Sequence, residues 1–569
     1  MAILAAQHVR PTQGGFDSPL WAADLYRHAF VEHPYESEAR RCPSGAVLAT
    51  AWPVAANGRA IAGQRMRAYL DDWYYRIHIS RRQLDLGNVV STQTTPVLVW
   101  NAYLEPRTLT AIAGIDEGIE LSGQPVPPLL FTGLQEREWQ VAVTPDGAPV
   151  LDTALVWQFA NGDSASLRIT ANRIIAWAFA PDWGDGVTET LTWATDILQS
   201  ESGMEQRRAI RLAPRREFEA SLLVDGRERQ LLDLSLFGWG SRVWALPIWP
   251  DIQLTQADVP AGATAIPCST TGRDFRAGGL ALLRGESAFR VEVVEVLSVE
   301  PSGLVLKRTT QQDWPDGSRL YPARPAQLTE QPRAIRLSDR ADRLDARFLV
   351  VEACDWSAVM PATLYRGWPV LEERPDESED LTRAYQRLLL ELDSGSALPL
   401  LTDTAQRAFP VMQHRWQLAG RPAHGAFRSL LYALNGRQKA LWVPTHADDL
   451  RLLETVTSVA TTMDVENIGY ARFAMAKPGR RDIRIELLDG GVLHRRITGS
   501  TELSGEVERL ALDETLGREV LPGDVLRISW LVLCRMDSDS VTIDHETDAD
   551  GIARSAIMFR GVRDEEFVP

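Results

Sequence analysis

Apolar and polar residues alternate along much of the chain with the period of two that sends successive side chains to opposite faces of a β-strand. The alternation is clear in DIRIELL (482–488), VLRISWLVL (525–533) and SVTIDHE (540–546), and turn signals such as DGG and LPGD separate these runs. Alternation of this kind is typical of half-buried antiparallel strands. The pattern therefore predicts small β domains, barrels or sandwiches, in this part of the chain.

Short apolar runs of the same kind fill residues 96–180. PVLVWNAYL, REWQVAV, LDTALVWQFA and ASLRITANRIIAWAF are separated by turn signals, as expected of an immunoglobulin-like sandwich. Four tryptophans fall in these runs, and an indole can either fill a core or stack on a sugar ring. Apolar neighbours favour core filling for all four, which are Trp100, Trp139, Trp157 and Trp177.

Two stretches of the chain look like copies of one module. SRVWALPIWPDIQL (241–254) aligns with KALWVPTHADDLRL (439–452), so that Pro247 meets Pro444. Upstream, both contain a strand-like start with an aromatic residue, Phe218 or Trp416, then an apolar stretch with helical spacing and a glycine. The alignment predicts that residues 216–254 and 415–452 share one fold: strand, helix, strand, then a break at the proline.

His446 lies beside Asp448 and Asp449, an arrangement that could be a catalytic cluster. Trp249 occupies the position of His446 in the other copy, so the polar character is not shared. A duplicated module can keep one active site, but the alignment favours architecture. The two aspartates are then predicted to be turn or cap residues ahead of a strand at 450–453.

Composition describes an ordinary globular protein of 569 residues, with 45% hydrophobic and 24% charged residues. The predicted fold class is mainly β with α+β modules: a sandwich followed by two strand–helix–strand modules, each with a small β domain. The predicted boundaries are an N-terminal region 1–95, a sandwich 96–185, a first module 186–260, a small β domain 261–326, a second module 327–455 and a C-terminal β domain 456–569.

Charge, cysteine spacing and hydropathy limit the classes of protein and the cellular compartments that fit this sequence. A net charge of −16 argues against a general nucleic-acid surface. The cysteines at 42, 268, 354 and 534 lie too far apart for a zinc knuckle or a disulfide framework, which favours a reducing cytoplasm, and Cys268 and Cys534 are predicted to be free. No apolar run approaches the length of a membrane span, and the N-terminus lacks the pattern of a secretory signal.

Candidate chemistry is sparse. DSDSVTIDHETD (537–548) begins like a calcium loop, but Thr542 stands where glycine is needed and Asp548 where glutamate is expected, so a structural turn is favoured. No HExxH, GxSxG or Walker motif is present, and no glycine-rich GxGxxG lies in a strand–helix–strand context. The sequence therefore predicts no catalytic, cofactor-binding or metal-binding residue, and no enzyme.

Residues 195–215, TDILQSESGMEQRRAIRLAPR, are predicted to be an arm. The first half has neither helical nor strand periodicity, and the second half and its end concentrate five arginines in an acidic chain: Arg207, Arg208, Arg211, Arg215 and Arg216. Such a segment buries too little surface to order alone. We expect it to be ordered by acidic groups on a neighbouring subunit.

Three segments resemble tail-tip proteins of long-tailed bacteriophages and related gene transfer agents. They are LTWATDILQSESGMEQRRAIRLAPRREFEASLLV (191–224), ALNGRQKALWVPTHADDLRLL (433–453) and LCRMDSDSVTIDHETDADGIARSAIMFRGV (533–562). The resemblance implies a distal tail protein or baseplate hub component, a structural part of the virion tail assembled in the bacterial cytoplasm. The internal duplication and the sandwich depart from the simplest distal tail proteins.

The resemblance also implies partners. They are a homo-oligomeric ring, the tube, tape-measure, hub and fibre proteins of the tail, and DNA that passes without specific binding. A ring of this kind needs exposed arms and strand edges that pair between subunits. A second hypothesis, suggested by the many tryptophans, is a protein that binds or hydrolyses glycans during attachment to the host.

Overall fold

The chain folds into two compact units in a computed structural model, residues 1–174 and 175–569. The structure describes residues 54–56, 59–61, 73–89, 92–145, 150–396, 398–474, 476–549 and 551–563. Strands dominate both units, which confirms the prediction of a mainly β protein. Among the described residues, no helix has both the length and the apolar character needed to cross a membrane.

Two of the sheets in the first unit pack over a shared core. One sheet has the order β3-β5-β9-β7 and the other β4-β11-β10-β6-β8, with β4 parallel to β11. Buried residues from both sheets, such as Val141 and Leu167, form one cluster. The strands are β1 (Val54–Ala56), β2 (Arg59–Ile61), β3 (Ile77–Ile79), β4 (Gln83–Val89), β5 (Gln93–Asn101), β6 (Arg107–Ala113), β7 (Ile119–Ser122), β8 (Leu129–Phe131), β9 (Glu136–Val143), β10 (Val150–Phe159) and β11 (Ser164–Ala176).

The second unit begins with a segment that we call the first module, residues 187–350. It contains one long helix, α1 (Gly226–Trp239), between two strands of its main sheet. Its strands are β12 (Val187–Thr192), β13 (Thr195–Gln199), β14 (Glu205–Ala209), β15 (Arg215–Asp225), β16 (Val243–Pro247), β17 (Gln253–Leu254), β18 (Ala265–Pro267), β19 (Leu280–Arg284), β20 (Val291–Glu300), β21 (Gly303–Leu306), β22 (Arg319–Leu328), β23 (Ala334–Arg336) and β24 (Ala341–Val350).

A linker with two short strands, β25 (Leu364–Tyr365) and β26 (Trp368–Pro369), leads to the second module, residues 383–561. Its helices are α2 (Arg421–Leu434) and the short α3 (Tyr470–Phe473). Its strands are β27 (Arg383–Gln386), β28 (Leu389–Leu392), β29 (Leu400–Asp403), β30 (Phe409–Ala419), β31 (Ala440–Pro444), β32 (Thr462–Glu466), β33 (Asp482–Leu487), β34 (Val492–Glu502), β35 (Val507–Leu512), β36 (Val525–Met536), β37 (Ser540–His545) and β38 (Ile552–Gly561).

Apart from β17 in the first module and α3 in the second, the two modules have the same order of elements and the same strand pairing. In the first module β12 and β24 flank β15, and in the second β27 and β38 flank β30. The strand after each long helix ends in proline and pairs with β22 or β36, so Pro247 and Pro444 take matching places. The remaining pairs also match: β13–β14 with β28–β29, β18–β21 with β32–β35, β19–β20 with β33–β34, β19–β22 with β33–β36, β20–β21 with β34–β35, β22–β24 with β36–β38, and β23–β24 with β37–β38.

Strand register identifies matching residues. Glu189 lies opposite Phe218, which lies opposite Phe348, whereas Arg383 lies opposite Met412, which lies opposite Phe559. Glu189 therefore occupies the place of Arg383. The two long helices each contain 14 residues, and their inward-facing residues coincide when the helices are aligned from their first residues: Leu232 takes the place of Phe427, Leu236 of Leu431 and Trp239 of Leu434. They can be matched residue by residue from their starts at 226 and 421.

The helix α2 shows why this part of the sequence folds as it does. Its apolar residues Phe427, Leu430, Leu431 and Leu434 recur with helical spacing and are buried in the core of the second module. The helix ends at Asn435, which adopts the left-handed conformation common at helix C-termini. Each module then adds a small β subdomain with its own core, around Ile266 and Trp314 in the first and around Val465 and Ile485 in the second.

Candidate assembly interface

His446 does not form a cluster with the neighbouring aspartates. It is buried with a φ of 52°, and its Nδ1 atom lies 3.4 Å from Oε1 of Glu486. Asp448 is exposed, and Asp449 accepts hydrogen bonds from the Trp530 backbone N–H and from the Thr445 hydroxyl. Asp449 therefore supports a turn, as the alignment with the other copy predicts.

The protonation state of His446 follows from its surroundings. Burial lowers the pKa of this histidine to about 4, although the nearby Glu486 carboxylate opposes the shift. The imidazole is therefore neutral at pH 7. Trp249, the residue at the matching place after Pro247, is also buried. Both side chains fill the same part of their modules.

The calcium-like segment is part of a contact between modules. The carboxylate of Asp539 accepts hydrogen bonds from the backbone N–H and hydroxyl of Thr195 at 2.8 and 2.7 Å, and from the backbone N–H of Arg437 at 2.9 Å. Among the residues that the structure describes, no group of three or more His, Cys, Asp or Glu side chains could hold a metal ion. Asp539 thus connects a strand of the first module to the second module.

Three of the four singled-out tryptophans fill cores. Trp139 and Trp157 are buried and lie edge to face, with ring centroids 5.9 Å apart, and Trp177 is buried against Trp244 at 5.2 Å. Trp100 is only partly buried, and its indole N–H donates to the carbonyl of Leu134. The cysteines at 268, 354 and 534 are buried free thiols, and Cys42 lies outside the described residues.

The predicted arm is a β-hairpin, which we call arm 1, formed by β13 and β14. Both carboxylate oxygens of Glu205 accept hydrogen bonds from Arg535 at 2.8 and 2.9 Å, and Oε1 also accepts one from Arg560 at 2.8 Å. The Ser202 carbonyl accepts a hydrogen bond from Arg563. These partners belong to the C-terminal end of the same chain, so Glu205 and Ser202 hold arm 1 against its own chain.

The expectation that acidic groups of a neighbouring subunit bind the arginines is wrong for Arg216, which donates to Glu189 and Asp274 of its own chain. Two further arginines also have partners inside the chain. Arg207 lies 3.9 Å from Glu205, and Arg211 donates to the carbonyls of Thr192 and Trp193. The sequence predicted an arm in the right place but could not show that its partner is the other half of the molecule.

A strand edge joins the two modules, and we call this contact the inner joint. Strand β12 of the first module pairs antiparallel with β37 of the second over six residue pairs, from Val187 opposite His545 to Thr192 opposite Ser540. The hydroxyl of Thr188 donates to the carboxylate of Asp544 at 2.9 Å across this pair. The main sheets of the two modules are therefore continuous.

Glu189 is the centre of the charges buried at the inner joint. Its carboxylate accepts hydrogen bonds from Arg216 at 2.7 Å and from Arg428 of α2 at 2.9 Å, and it lies 3.0 Å from Nε2 of His545. Burial raises the pKa of this carboxyl, but the cations outweigh it and hold the pKa well below its usual value. Glu189 is therefore ionised, and its negative charge is matched by arginines from both modules.

Further contacts cover the outer face of α2. Arg421 donates to Asp251 of the first module at 2.6 Å, and the ring of Trp193 lies 5.9 Å from that of Tyr432. The Tyr432 hydroxyl donates to the carbonyl of Cys354 at 2.6 Å. The helix is thus enclosed by its own module on one side and by the first module and the linker on the other.

The matching surfaces at the two outer ends are open. Among the described residues, β27 pairs only with β30 and β23 only with β24, although their counterparts β12 and β37 pair with each other. All residues of β27 and β23 are exposed. On α1, Leu234 and Phe237 are exposed, the latter by 92%.

The hairpin formed by β28 and β29, which we call arm 2, occupies the place of arm 1 in the second module. Six of its leucines are between 55% and 95% exposed: Leu389, Leu390, Leu392, Leu398, Leu400 and Leu401. Exposed apolar side chains at this density are typical of a surface that another protein covers. The sequence predictions missed this hairpin, although its leucine content was a signal.

A cleft of about 500 Å³ adjoins β27. Its lining includes four aromatic and four basic side chains: Tyr385, Tyr470, Phe473, Trp530, Arg387, Arg407, Lys477 and Arg480. Arg480 donates to the Tyr385 hydroxyl at 3.0 Å and lies over the Tyr385 ring. The cleft therefore places positive charge beside the open strand edge.

Comparisons with known proteins assign no family. No family model matches the chain, and no curated protein matches it. Among solved structures, the secreted serine protease VesC from Vibrio cholerae is similar over 50% of this chain, with 8% identity and a TM-score of 0.16. The match spans 52% of the length of that protease.

Proposed function

We propose that the protein is a structural component of a bacteriophage tail tip or baseplate that assembles as a ring. The observation that carries the proposal is the inner joint: two modules of matching strand order are joined edge to edge, and each leaves the complementary edge open at the outer end. A head-to-tail contact of this kind, repeated between chains, generates a ring if the rotation closes.

The sequence resemblance to tail-tip proteins supplies the setting. A ring at the tail tip joins the tube above to the hub or fibres below and surrounds a channel for DNA. A chain with a net charge of −16 suits a channel wall that DNA passes without binding, because like charges repel.

A structural role also accounts for the acidic and histidine residues that looked most like candidates for catalysis. Glu189, Asp251 and Asp539 engage partners across the inner joint, and Asp449 supports a turn. His446 is a buried neutral side chain. These groups stabilise module contacts, so the proposed activity is assembly rather than catalysis.

The test is the mass and symmetry of the purified full chain. Light scattering after size exclusion and negative-stain images should show one closed oligomer with a central opening. A monomer at every concentration would overturn the homo-oligomeric ring, and an open filament would show that the contact does not close.

Glycan binding by the first unit is the second candidate. His78 lies between the rings of Trp73 and Trp100, with centroid distances of 6.1 and 5.2 Å and interplanar angles of 24° and 23°. Trp73 is 53% exposed, so its face is available to a sugar ring. Binding to a glycan array that Trp73→Ala abolishes would support this candidate, and an array without signal would end it.

A further inference from the structure

We infer that a second copy of this chain covers the open edge of the second module with its own first module, and that this contact repeats the inner joint between chains. The inference rests on the proposed ring and names its interface. In this contact, β27, arm 2 and their surroundings on one chain meet β23, β24 and α1 of the next.

The register of the inner joint predicts how β27 of one chain pairs with β23 of the next. In the inner joint, Glu189 of β12 lies opposite Ile543 of β37. Ile543 lies opposite Ser555, and Ala334 of β23 lies opposite Leu344 at the matching place of β24, so Ala334 takes the place of Ile543. The same register between chains puts Arg383 opposite Ala334 and Thr382 opposite Ile335. Unpaired edges of this kind are templates for another chain.

The charges fit this register with their signs exchanged. In the inner joint, Glu189 of the first module binds Arg428 of α2. Arg383 stands in the place of Glu189, and Asp233, the eighth residue of α1, stands in the place of Arg428. An acid–base pair in the inner joint thus becomes a base–acid pair between chains. Attraction is preserved because both sides changed together.

The outer face of α1 fits as well. Tyr432 of α2 is enclosed at the inner joint, and its place on α1 is taken by Phe237, which is almost wholly exposed. Trp193, the first residue after β12, contacts Tyr432, and its place after β27 is taken by Arg387. A guanidinium over a phenyl ring is a favourable pair.

The two arms differ in chemistry, and the surfaces that they meet differ in the corresponding way. Arm 1 reaches the second module through Glu205, which binds Arg535 and Arg560. On the first module, strand register puts Gln327 in the place of Arg535 and Leu349 in the place of Arg560.

Arm 2, in turn, carries leucines on both of its strands. Val351, two residues after Leu349, is 46% exposed. The ion pairs between arm 1 and the second module are therefore replaced between chains by uncharged contacts, which are apolar except at Gln327.

The decisive experiment reverses charges in the full chain. Arg383→Asp and Asp233→Arg each place like charges together, so each should weaken self-association at least about tenfold. The double variant restores an attractive pair and should recover association to near the level of the unsubstituted chain. Arg451→Asp, at an exposed arginine of the small subdomain, is the matched control and should leave association unchanged. Sedimentation velocity over a concentration series measures all four proteins.

The outcomes separate this interface from the ring. If the unsubstituted chain is monomeric at all concentrations, both the ring and the interface are overturned, including the case in which another part of the same chain covers these surfaces. If the chain forms a ring that neither single variant weakens, the ring stands and this interface is wrong. Single variants that weaken association without rescue by the double variant would also contradict the assigned pair.

A cross-link checks the register independently. Thr382→Cys with Ile335→Cys in one chain should form disulfides between chains under mild oxidation and give a ladder of covalent oligomers on a non-reducing gel. The control pair Thr382→Cys with Arg451→Cys should give none. Equal ladders from both pairs would show that collisions, rather than the proposed register, cause the cross-links.

Discussion

The helices α1 and α2 have the same length and the same place in their modules, but opposite surroundings. Leu430, Leu431 and Leu434 of α2 are buried, and its outer face is covered by the first module. On α1, Leu232 is buried while Leu234 and Phe237 are exposed. The comparison teaches that each module requires apolar residues only on the side of the helix that faces its own core. The outer side reflects what each module meets in the assembly.

Polar chemistry differs between the modules in the same way. The second module contains all five histidines of residues 175–569, whereas the first contains none. In the ion pairs between the modules and helix α2, the first module contributes the acids Glu189 and Asp251, and the second contributes the arginines of α2. Each surface is specialised for one side of a directional contact.

The largest expected effect comes from removing the central charge of the inner joint. Glu189→Gln leaves Arg216 and Arg428 buried with one anion fewer, and breaking a buried ion pair typically costs about 3–5 kcal/mol. Arg383→Gln at the matching open position should cost less than about 0.5 kcal/mol, since it is a half-exposed surface residue. Urea unfolding of both variants, at concentrations where the chain is monomeric, measures the difference. Equal costs would contradict the assignment of one covered and one open edge.

The next effect is acid sensitivity located in the second module. Burial lowers the pKa of His414 to about 3 and that of His424 and His494 to about 4, below the value of about 6.5 for an unfolded chain. Between these values the unfolded state binds more protons, so the free energy of unfolding falls as the pH falls from about 6.5 toward 4. His414 alone should contribute about 2 kcal/mol between pH 6.5 and pH 4.5.

His414→Leu tests this contribution. Nε2 of His414 has no hydrogen-bond partner among the described residues, so an apolar side chain sacrifices little at pH 7. The variant should lose about 2 kcal/mol less than the unsubstituted chain when urea unfolding is repeated at pH 4.5. An unchanged pH dependence would show that this histidine is not buried in its neutral form.

The third effect compares the helices directly. Tyr432→Ala removes a partly buried ring and its hydrogen bond to the Cys354 carbonyl, so it should lower the free energy of unfolding by about 2–3 kcal/mol. Phe237→Ala, at the matching residue of α1, should change it by less than about 0.5 kcal/mol. The same variant should weaken self-association. If Phe237→Ala destabilised the monomer as strongly as Tyr432→Ala, the outer face of α1 would be covered within the chain.

Sequence patterns predicted the elements of the fold better than its registers. The alternation in 482–488 and 525–533 corresponds to β33 and β36, and the paired prolines end matching strands. However, the alignment matched Phe218 with Trp416, whereas strand pairing matches Phe218 with Met412. Alternation fixes which residues face the core but not how far a strand slides along its partner, because that depends on residues distant in sequence.

The interface was harder to predict for a related reason. The sequence marked arm 1 by its arginines, but Glu205 binds Arg535 and Arg560, which are more than 300 residues away. Nothing local indicates such a partner. The exchange of Glu189 and Arg428 for Arg383 and Asp233 becomes visible only when strand register gives the matching residues.

The smallest effect concerns the glycines of the two arms. Gly203 of arm 1 has a φ of +89° and faces the ring of Phe409, which a Cβ atom would contact closely. Gly395 of arm 2 has a φ of +69°, and nothing lies within 4 Å of the position of its Cβ. Both alanine variants carry the strain of a positive φ, about 1 kcal/mol, but only Gly203→Ala also displaces the arm from the second module.

The difference between the two alanine variants therefore measures the docking of arm 1. Gly203→Ala should cost about 1 kcal/mol more than Gly395→Ala in urea unfolding, and trypsin should cleave arm 1 faster at Arg207 and Arg208. Cleavage of arm 1 should stay unchanged in Gly395→Ala, because that substitution leaves the contact with Phe409 intact. Equal costs and equal cleavage rates would mean that arm 1 is not held by the second module. The contact proposed for arm 2 between chains would then have no model within the chain.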